Sequence, residues 1–440
     1  MILHDIETES RDFIEELQLD RLKQTVERVF NHVPFYRKKF LKSNIAPEDV
    51  TSLDDIQKLP FTVKADLREH YPFGLFAVDK KEIVRLHASS GTSGKPTVVG
   101  YTRNDIKMWS NLIARAILIG GGEPGHTLHN AYGYGLFTGG LGLHYGSEQL
   151  GMATVPVSGG NTDRQIMLIQ DFKPDVICGT PSYILNLAEK MEERGMDPAD
   201  TSLKYGIFGA EPWSEEMRKT LEAKLGIKAC DIYGLSEVLG PGVAMECHES
   251  QDGLHIAEDH FYAEVIDPIK MIPLPDGEEG ELVFTSLTKE AFPVIRYRTG
   301  DIASLSKEKC VCGRTTIRMS RVNGRIDDML NVNGVNVFPS EIERCILQMP
   351  ELSPHYHIQV YKRGSLKFLE LHAEWSEEFY RDIGEAEHVK KKIQEAVKQN
   401  CFINIGLVLH PPKMLPRSEG KAVRIINAAV KNAVTRMNNF

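Results

Sequence analysis

His87-Ala88-Ser89-Ser90-Gly91-Thr92-Ser93-Gly94-Lys95-Pro96-Thr97-Val98-Val99-Gly100-Tyr101-Thr102 sets hydroxyls, glycines and one lysine in a short polar loop ahead of a β-rich run. Glycine lets backbone N–H groups turn toward an anion with no Cβ in the way. The hydroxyls add donors and the lysine adds charge, a combination that suits a polyphosphate. The stretch is not a Walker A loop: Ser89 stands where that motif has its first glycine, and Pro96, not Ser or Thr, follows Lys95. The same composition also describes an ordinary surface turn, so the rest of the chain must decide.

At 440 residues the chain exceeds one typical core, so two or more domains are expected. Its 42% hydrophobic and 26% charged content are those of a globular protein. The net charge of −9 is spread along the chain and no basic face stands out, which argues against a nucleic-acid partner. The densest basic run, Lys390-Lys391-Lys392, reads as a solvated helix face. No apolar run is long enough to span a membrane, and Met1–Arg11 has acids early and no apolar h-region. Seven cysteines suggest a reducing compartment, so a cytoplasmic location is expected.

Residues 1–70 read as helical cover, with Leu22, Val26 and Val29 on one stripe and a break at Val33-Pro34. After the glycine loop, strands and helices alternate. Helices are expected over 104–119, 162–171, 182–193 and 214–225, and short strands over 127–131, 153–157, 176–178, 207–208 and 229–232. That alternation implies a mostly parallel sheet with helices on its faces, and ligands at the carboxyl ends of its strands. From about Leu254 the texture becomes β-like without intervening helices. Beyond Gly324-Arg325-Ile326-Asp327 a small set follows: a helix over 340–348, strands over 358–361 and 368–373, a helix over 387–399, a strand over 406–409, and a last helix after Lys421. The expected fold is α/β, a large N-terminal domain (1–326) with parallel-rich sheets and a β subdomain (about 250–320). A small mobile α+β C-terminal domain (327–440) completes it.

Several short loops gain meaning from their order. Gly209-Ala210-Glu211-Pro212 and Tyr233-Gly234-Leu235-Ser236-Glu237 each follow an apolar run. Arg296-Tyr297-Arg298-Thr299-Gly300-Asp301 closes the β region, and Arg417-Ser418-Glu419-Gly420-Lys421-Ala422-Val423-Arg424 lies near the end. With the glycine loop and Tyr132–Gly146, this succession resembles the adenylate-forming superfamily of acyl-CoA synthetases, and within it the phenylacetate–CoA ligase family. The resemblance spans nearly the whole chain.

It implies an acid–thiol ligase that uses ATP, Mg²⁺ and coenzyme A. A carboxylate attacks the α-phosphorus of ATP, and the thiol of coenzyme A then displaces AMP. By resemblance, Ser90, Gly91, Thr92, Ser93 and Lys95 hold the β- and γ-phosphates, with Thr92, Glu237 and Lys421 catalytic. Glu237 holds Mg²⁺. Gly209, Ala210, Glu211, Pro212, Asp231, Ile232, Tyr233, Gly234 and Ser236 frame the nucleotide. Asp301 takes the ribose hydroxyls and Arg325 the ribose or α-phosphate. Lys421 bridges carboxylate and α-phosphate, Asp327 is the hinge, and Tyr132, Tyr134, Phe137 and Gly209 border the aryl group. Phenylacetate is the leading acid, with hydroxylated phenylacetates, benzoates and indoleacetate open. The alternatives are an adenylating enzyme with another aryl acid or acceptor, and an inactive nucleotide-binding sensor. A homodimer is an open expectation.

Cys310-Val311-Cys312 is a tight turn, and the turn at Asp252-Gly253 folds Cys247 toward His255. Two thiolates from one turn and a Cys and a His from a hairpin make a candidate Cys₃His zinc site of structural type, with His248 as rival ligand and free thiols as the alternative. Cys178, Cys230, Cys345 and Cys401 sit in apolar patterns and are expected to pack in the core.

Overall fold

The computed structural model describes residues 1–89, 96–332, 335–363, 366–380, 386–418 and 422–427. The chain opens with α1 (Arg11–His32), α2 (Pro34–Lys42) and α3 (Lys64–Glu69). α1 is capped by the Ser10 side chain, which accepts from Phe13 N, and Pro34 opens α2 at the first turn, where its missing N–H is not needed. A two-stranded ribbon, β1 (Arg85–Ser89) and β2 (Thr97–Tyr101), flanks the glycine loop. Alternation then sets in: α4 (Arg103–Ile119), β3 (Thr127–Asn130), α5 (Thr138–Leu150), β4 (Ala153–Val155), α6 (Thr162–Phe172), β5 (Val176–Gly179), α7 (Pro181–Glu193), β6 (Tyr205–Gly209), α8 (Glu215–Leu225) and β7 (Lys228–Leu235).

Strand-only texture follows: β8 (Gly240–Glu246), β9 (Leu254–Ile256), β10 (Phe261–Ile266), β11 (Gly280–Ser286), β12 (Tyr297–Ala303), β13 (Leu305–Ser306), β14 (Arg318–Met319) and β15 (Gly324–Arg325). The sheets divide these strands. A nine-stranded sheet has the order β13-β14-β9-β8-β7-β6-β5-β3-β4, and β10-β11-β12-β15 form a separate antiparallel sheet. The half of the large sheet from β4 to β7 is parallel, and the rest is antiparallel. Three short strands from the β-rich stretch (β9, β13 and β14) therefore extend the large sheet.

Two apolar clusters serve the large part of the molecule. One gathers residues of α1, α2, α4 and α5, and the other residues of α6, α7 and α8. α5 carries glycines on its contact face. A Cβ on Gly146 would lie 2.0 Å from Ile113, and one on Gly142 would lie 2.7 Å from Trp109. Each glycine costs a helix about 1 kcal/mol, offset here by the close approach of α4.

The C-terminal part has its own core of Val337, Ile342, Ile346, Ile358, Leu371, Ile393 and neighbours. Its elements are β16 (Leu330–Val332), β17 (Val335–Val337), α9 (Pro339–Leu347), β18 (Leu352–Arg363), β19 (Leu366–Trp375), α10 (Ala386–Cys401), β20 (Gly406–His410) and β21 (Ile425–Asn427). The last sheet has the order β20-β19-β18-β21. β18 and β19 are longer than the sequence suggests. The helix expected after Lys421 gives way at 425–427 to β21, parallel to β18. A strand here satisfies the edge of β18, which the helix would have left open. Residues beyond 427 lie outside the described set.

Candidate functional site

β5, β6 and β7 run parallel and in register, so their carboxyl ends come together. The turn after β6 admits little variation. A Cβ on Gly209 would lie 2.2 Å from the Ile232 carbonyl oxygen, and Ala210 adopts a φ of 69°, a conformation that L-residues avoid. In the turn after β7, a Cβ on Gly234 would lie 1.8 Å from the Gly240 carbonyl oxygen. Glu237 and Ser236 are buried there, and the Ser236 hydroxyl meets Thr138 Oγ1 at 3.3 Å.

Asp301 joins the two sheets at this edge. It is buried on β12, where it pairs with Arg325 on β15. Arg325 Nη1 donates to Asp301 Oδ1 at 2.6 Å, and the Tyr233 hydroxyl donates to Oδ2 at 2.6 Å. Burial, then Asp301, pushes the Tyr233 phenol well above the usual tyrosine value, so it stays a donor. Burial works against the Arg325 charge, but Asp301 and its neighbours more than offset this and raise its pKa. Asp231, on the same strand as Tyr233, faces Arg321 Nε at 3.5 Å, while its N–H donates to Glu246 Oε2.

Three charged residues here carry no sequence signal. Lys289 is fully buried, donates to the Val238 carbonyl at 3.2 Å, and lies over the rings of Tyr101 and Phe292. Burial lowers its pKa to about 8, opposed by Asp105 and Glu237. Arg218 and Glu246 form a buried pair at 2.7 Å under β7. None of the three belongs to a local motif, because their partners arrive from other elements.

The aromatic stretch lies beside the same edge. Tyr132 is buried, Tyr134 is half-buried and Phe137 is exposed. Asn130 Nδ2 donates to the Tyr134 hydroxyl at 2.8 Å and to the Gly140 carbonyl at 2.8 Å, and the hydroxyl meets His144 Nδ1 at 3.2 Å. The Leu136 carbonyl accepts from Ala88 N and from His87 Nδ1. This ties the strand leading into the glycine loop to the aromatic stretch. Ser90, Gly91, Thr92, Ser93 and Lys95 lie outside the described residues, as does Lys421.

Ala422, which follows Lys421, is described. Ala422 N donates to Glu211 Oε2 at 2.8 Å, and Glu211 Oε1 accepts from Ser182 N at 2.9 Å. The turn after β6 thus meets the C-terminal part through a carboxylate. Pro212 follows in that turn, and Asp327 sits in a short turn after β15.

Far from these loops, Cys247, His255, Cys310 and Cys312 converge, their ligand atoms all within 4.8 Å of one another. Cys247 Sγ is 3.7 Å from Cys310 Sγ, and Cys312 Sγ is 3.4 Å from His255 Nε2. A zinc tetrahedron with usual bond lengths has S–S and S–N edges of about 3.7 and 3.5 Å. His255 Nδ1 meets Thr316 Oγ1 at 3.1 Å, which orients the ring. His248 instead meets the Ile119 carbonyl and the Tyr205 ring, and is not part of the cluster.

A model of the AMP-binding enzyme family matches residues 12–288, and one of the AMP-binding enzyme C-terminal domain matches 334–428. The chain is 51% identical over 433 residues to a phenylacetate-coenzyme A ligase of Thermus thermophilus, covering 96% of this chain and 97% of that one. It is likewise 51% identical to a phenylacetate-coenzyme A ligase of Escherichia coli, over 97% of each. A solved 2-hydroxyisobutyryl-CoA ligase is 30% identical, covering 96% of this chain and 91% of that one. The TM-score is 0.91 to its postadenylation state with 2-HIB-AMP and 0.72 to its thioesterification state with CoA. Taken with the fold, these matches establish that the chain belongs to the AMP-binding enzymes and, among them, to the phenylacetate–CoA ligase family.

Proposed function

We propose that this chain is an ATP-dependent phenylacetate–CoA ligase. In the first step an acid carboxylate oxygen bonds to the α-phosphorus of ATP and the bond to the β-phosphate oxygen breaks, releasing diphosphate. In the second, the sulfur of coenzyme A bonds to the acyl carbon, the acyl–oxygen bond breaks, AMP leaves and the thiol proton passes to solvent. The observation that carries this is Asp301, buried and fixed by Tyr233 and Arg325 at the strand ends. A carboxylate so held presents acceptors for a vicinal diol, as a ribose requires.

Around it, residues 209–212, 231–234 and Ser236 frame the nucleotide, and Ser90–Ser93 with Lys95 hold its outer phosphates. Glu237, buried at the same edge, would hold Mg²⁺, a hard ion that suits carboxylate and phosphate oxygens and would neutralise developing phosphate charge. Tyr132, Tyr134, Phe137 and Gly209 border the aryl group, where rings favour an aryl guest. Lys421 orients carboxylate and α-phosphate, with the domain boundary at 326/327 and Asp327 as hinge. The better match to a postadenylation arrangement supports placing this conformation on the adenylation side.

Cys247, His255, Cys310 and Cys312 hold a structural zinc, favoured by the tetrahedral edge lengths. The location is the cytoplasm and the assembly a homodimer, which sedimentation would check.

A panel of phenylacetate, hydroxylated phenylacetates, benzoate and indoleacetate, assayed for diphosphate release with and without coenzyme A, tests the function. Phenylacetate-dependent release that turns over only with coenzyme A is expected. Nucleotide binding without release under any acid would instead make the chain a sensor.

A further inference from the structure

A two-step ligase of this kind needs its small domain to dock for adenylation and to leave for thioester formation. The following inference rests on that reading. The contact between the two parts is dominated by polar groups, and its large-domain side is acidic. On α7, Glu189 takes His355 Nε2 at 2.8 Å through both oxygens, and Arg417 Nε lies 3.6 Å from it. One turn on, Glu193 meets Lys413 Nζ at 3.1 Å. Asn186 Nδ2, on the same helix, donates to the Ser418 carbonyl at 3.5 Å. Glu211, in the turn after β6, spans from the first turn of α7 to Ala422 N. Residues 413–418 thus lie as a strap along α7.

Among the described residues the small domain's own core does not merge with those of the large domain, and Leu347 packs against the α6–α8 cluster. A contact built this way separates at low cost, because charged groups regain water while no large apolar face is exposed. Arg417 is also prepared for release. Glu374, buried in the small domain, accepts from Arg417 at 2.7 and 3.0 Å. On undocking, Arg417 keeps that partner.

We propose that Glu189 is a docking latch. Through His355 at the start of β18 and through Arg417 it holds the small domain so that Lys421 reaches the nucleotide, and it acts in adenylation only. The contact is not needed once the adenylate has formed. A residue that served only stability would impair both half-reactions alike.

The test separates the half-reactions in the full-length protein. Diphosphate release in a single turnover without coenzyme A reports adenylation, and thioester formation from supplied acyl-adenylate reports the second step. Glu189→Ala is expected to slow adenylation about five- to twentyfold while thioester formation is unchanged or faster. His355→Gln, which removes the partner from the other side, should give the same split at smaller size. Lys421→Ala sets the floor for the first step. Equal loss in both steps, or no loss in adenylation by either variant, overturns the latch. A wild-type protein that forms no adenylate from any acid overturns the ligase reading instead, so the two failures are distinguishable.

Discussion

Asp301 shows how much can rest on a single carboxylate. It lies where β12 meets β15, and two donors of different kinds grip its two oxygens. Removing one partner of a buried charged pair leaves the other unpaired, which costs far more than the pair itself contributes. Asp301→Asn keeps the shape and removes the charge facing Arg325. Charge-assisted hydrogen bonds contribute roughly 1.5–3 kcal/mol each, so kcat/KM for ATP should fall about 10- to 100-fold. Steady-state kinetics with varied ATP would check this, and an unchanged value would remove Asp301 from the nucleotide site. Asp301 and Arg325 were legible because each sits in a recognisable run. Glu211 was legible only as a member of the turn after β6. Its partners, Ser182 and Ala422, are 29 and 211 residues away, and no local pattern points to them. Lys289 was invisible for the same reason: a lone lysine in a β stretch looks solvated until the fold buries it.

Among elements, the parallel strands were the most readable, since each is a short apolar run between helices with clear periodicity. The sheet they join was less so. Whether β9, β13 and β14 extend the large sheet or the small one depends on pairings far apart in sequence, and strands of two or three residues carry little signal. β3 supplies a test of how its buried polar groups are arranged. His129 is fully buried, with Nε2 at 2.5 Å from Gln165 Oε1. Gln165 Nε2 donates to the Ser158 and Gly160 carbonyls, so Oε1 is the acceptor and His129 Nε2 carries the proton. Nδ1 is buried with no hydrogen-bond partner among the described residues, and the ring is neutral. Burial lowers its pKa from 6.5 to about 4, partly opposed by Gln165. The unfolded chain therefore binds this proton first as pH falls, and stability drops between about pH 6.5 and 4. Melting temperatures measured across that window should fall less steeply in His129→Asn than in the wild type. Parallel curves would mean that the ring is protonated alike in both states.

At the scale of the whole molecule, the two parts have separate apolar cores and meet through a polar strap, so their stabilities should be separable. The cluster of Cys247, His255, Cys310 and Cys312, the proposed zinc site, belongs to the large part. It ties the end of β8 to β9 and to the loop that carries Arg314, and its metal should make that part more stable. Elemental analysis of protein purified without added metal should find about one zinc per chain. Cys312→Ser should lose it and melt several degrees lower, whereas wild-type protein without zinc would refute the site. The convergence of Cys247, His255, Cys310 and Cys312 was legible from the two turns that carry them, and His248, in the turn after β8, meets the Ile119 carbonyl instead.

The same loop reaches the beginning of the chain. Arg314, fully buried, donates through Nε to Glu7 at 2.7 Å, and Thr315 N donates to the Glu7 carbonyl. Glu7 and Arg314 are 307 residues apart. On α1, Gln18 and Arg11 likewise reach Glu258. During synthesis the ribosome delivers the first helix long before the segments that receive it. At 5–20 residues per second, about 15 to 60 seconds separate the emergence of Glu7 from that of Arg314. Through that interval Glu7 waits for the arginine that will receive it, while α1 already has α2 and the short turns at 47–58 to pack against.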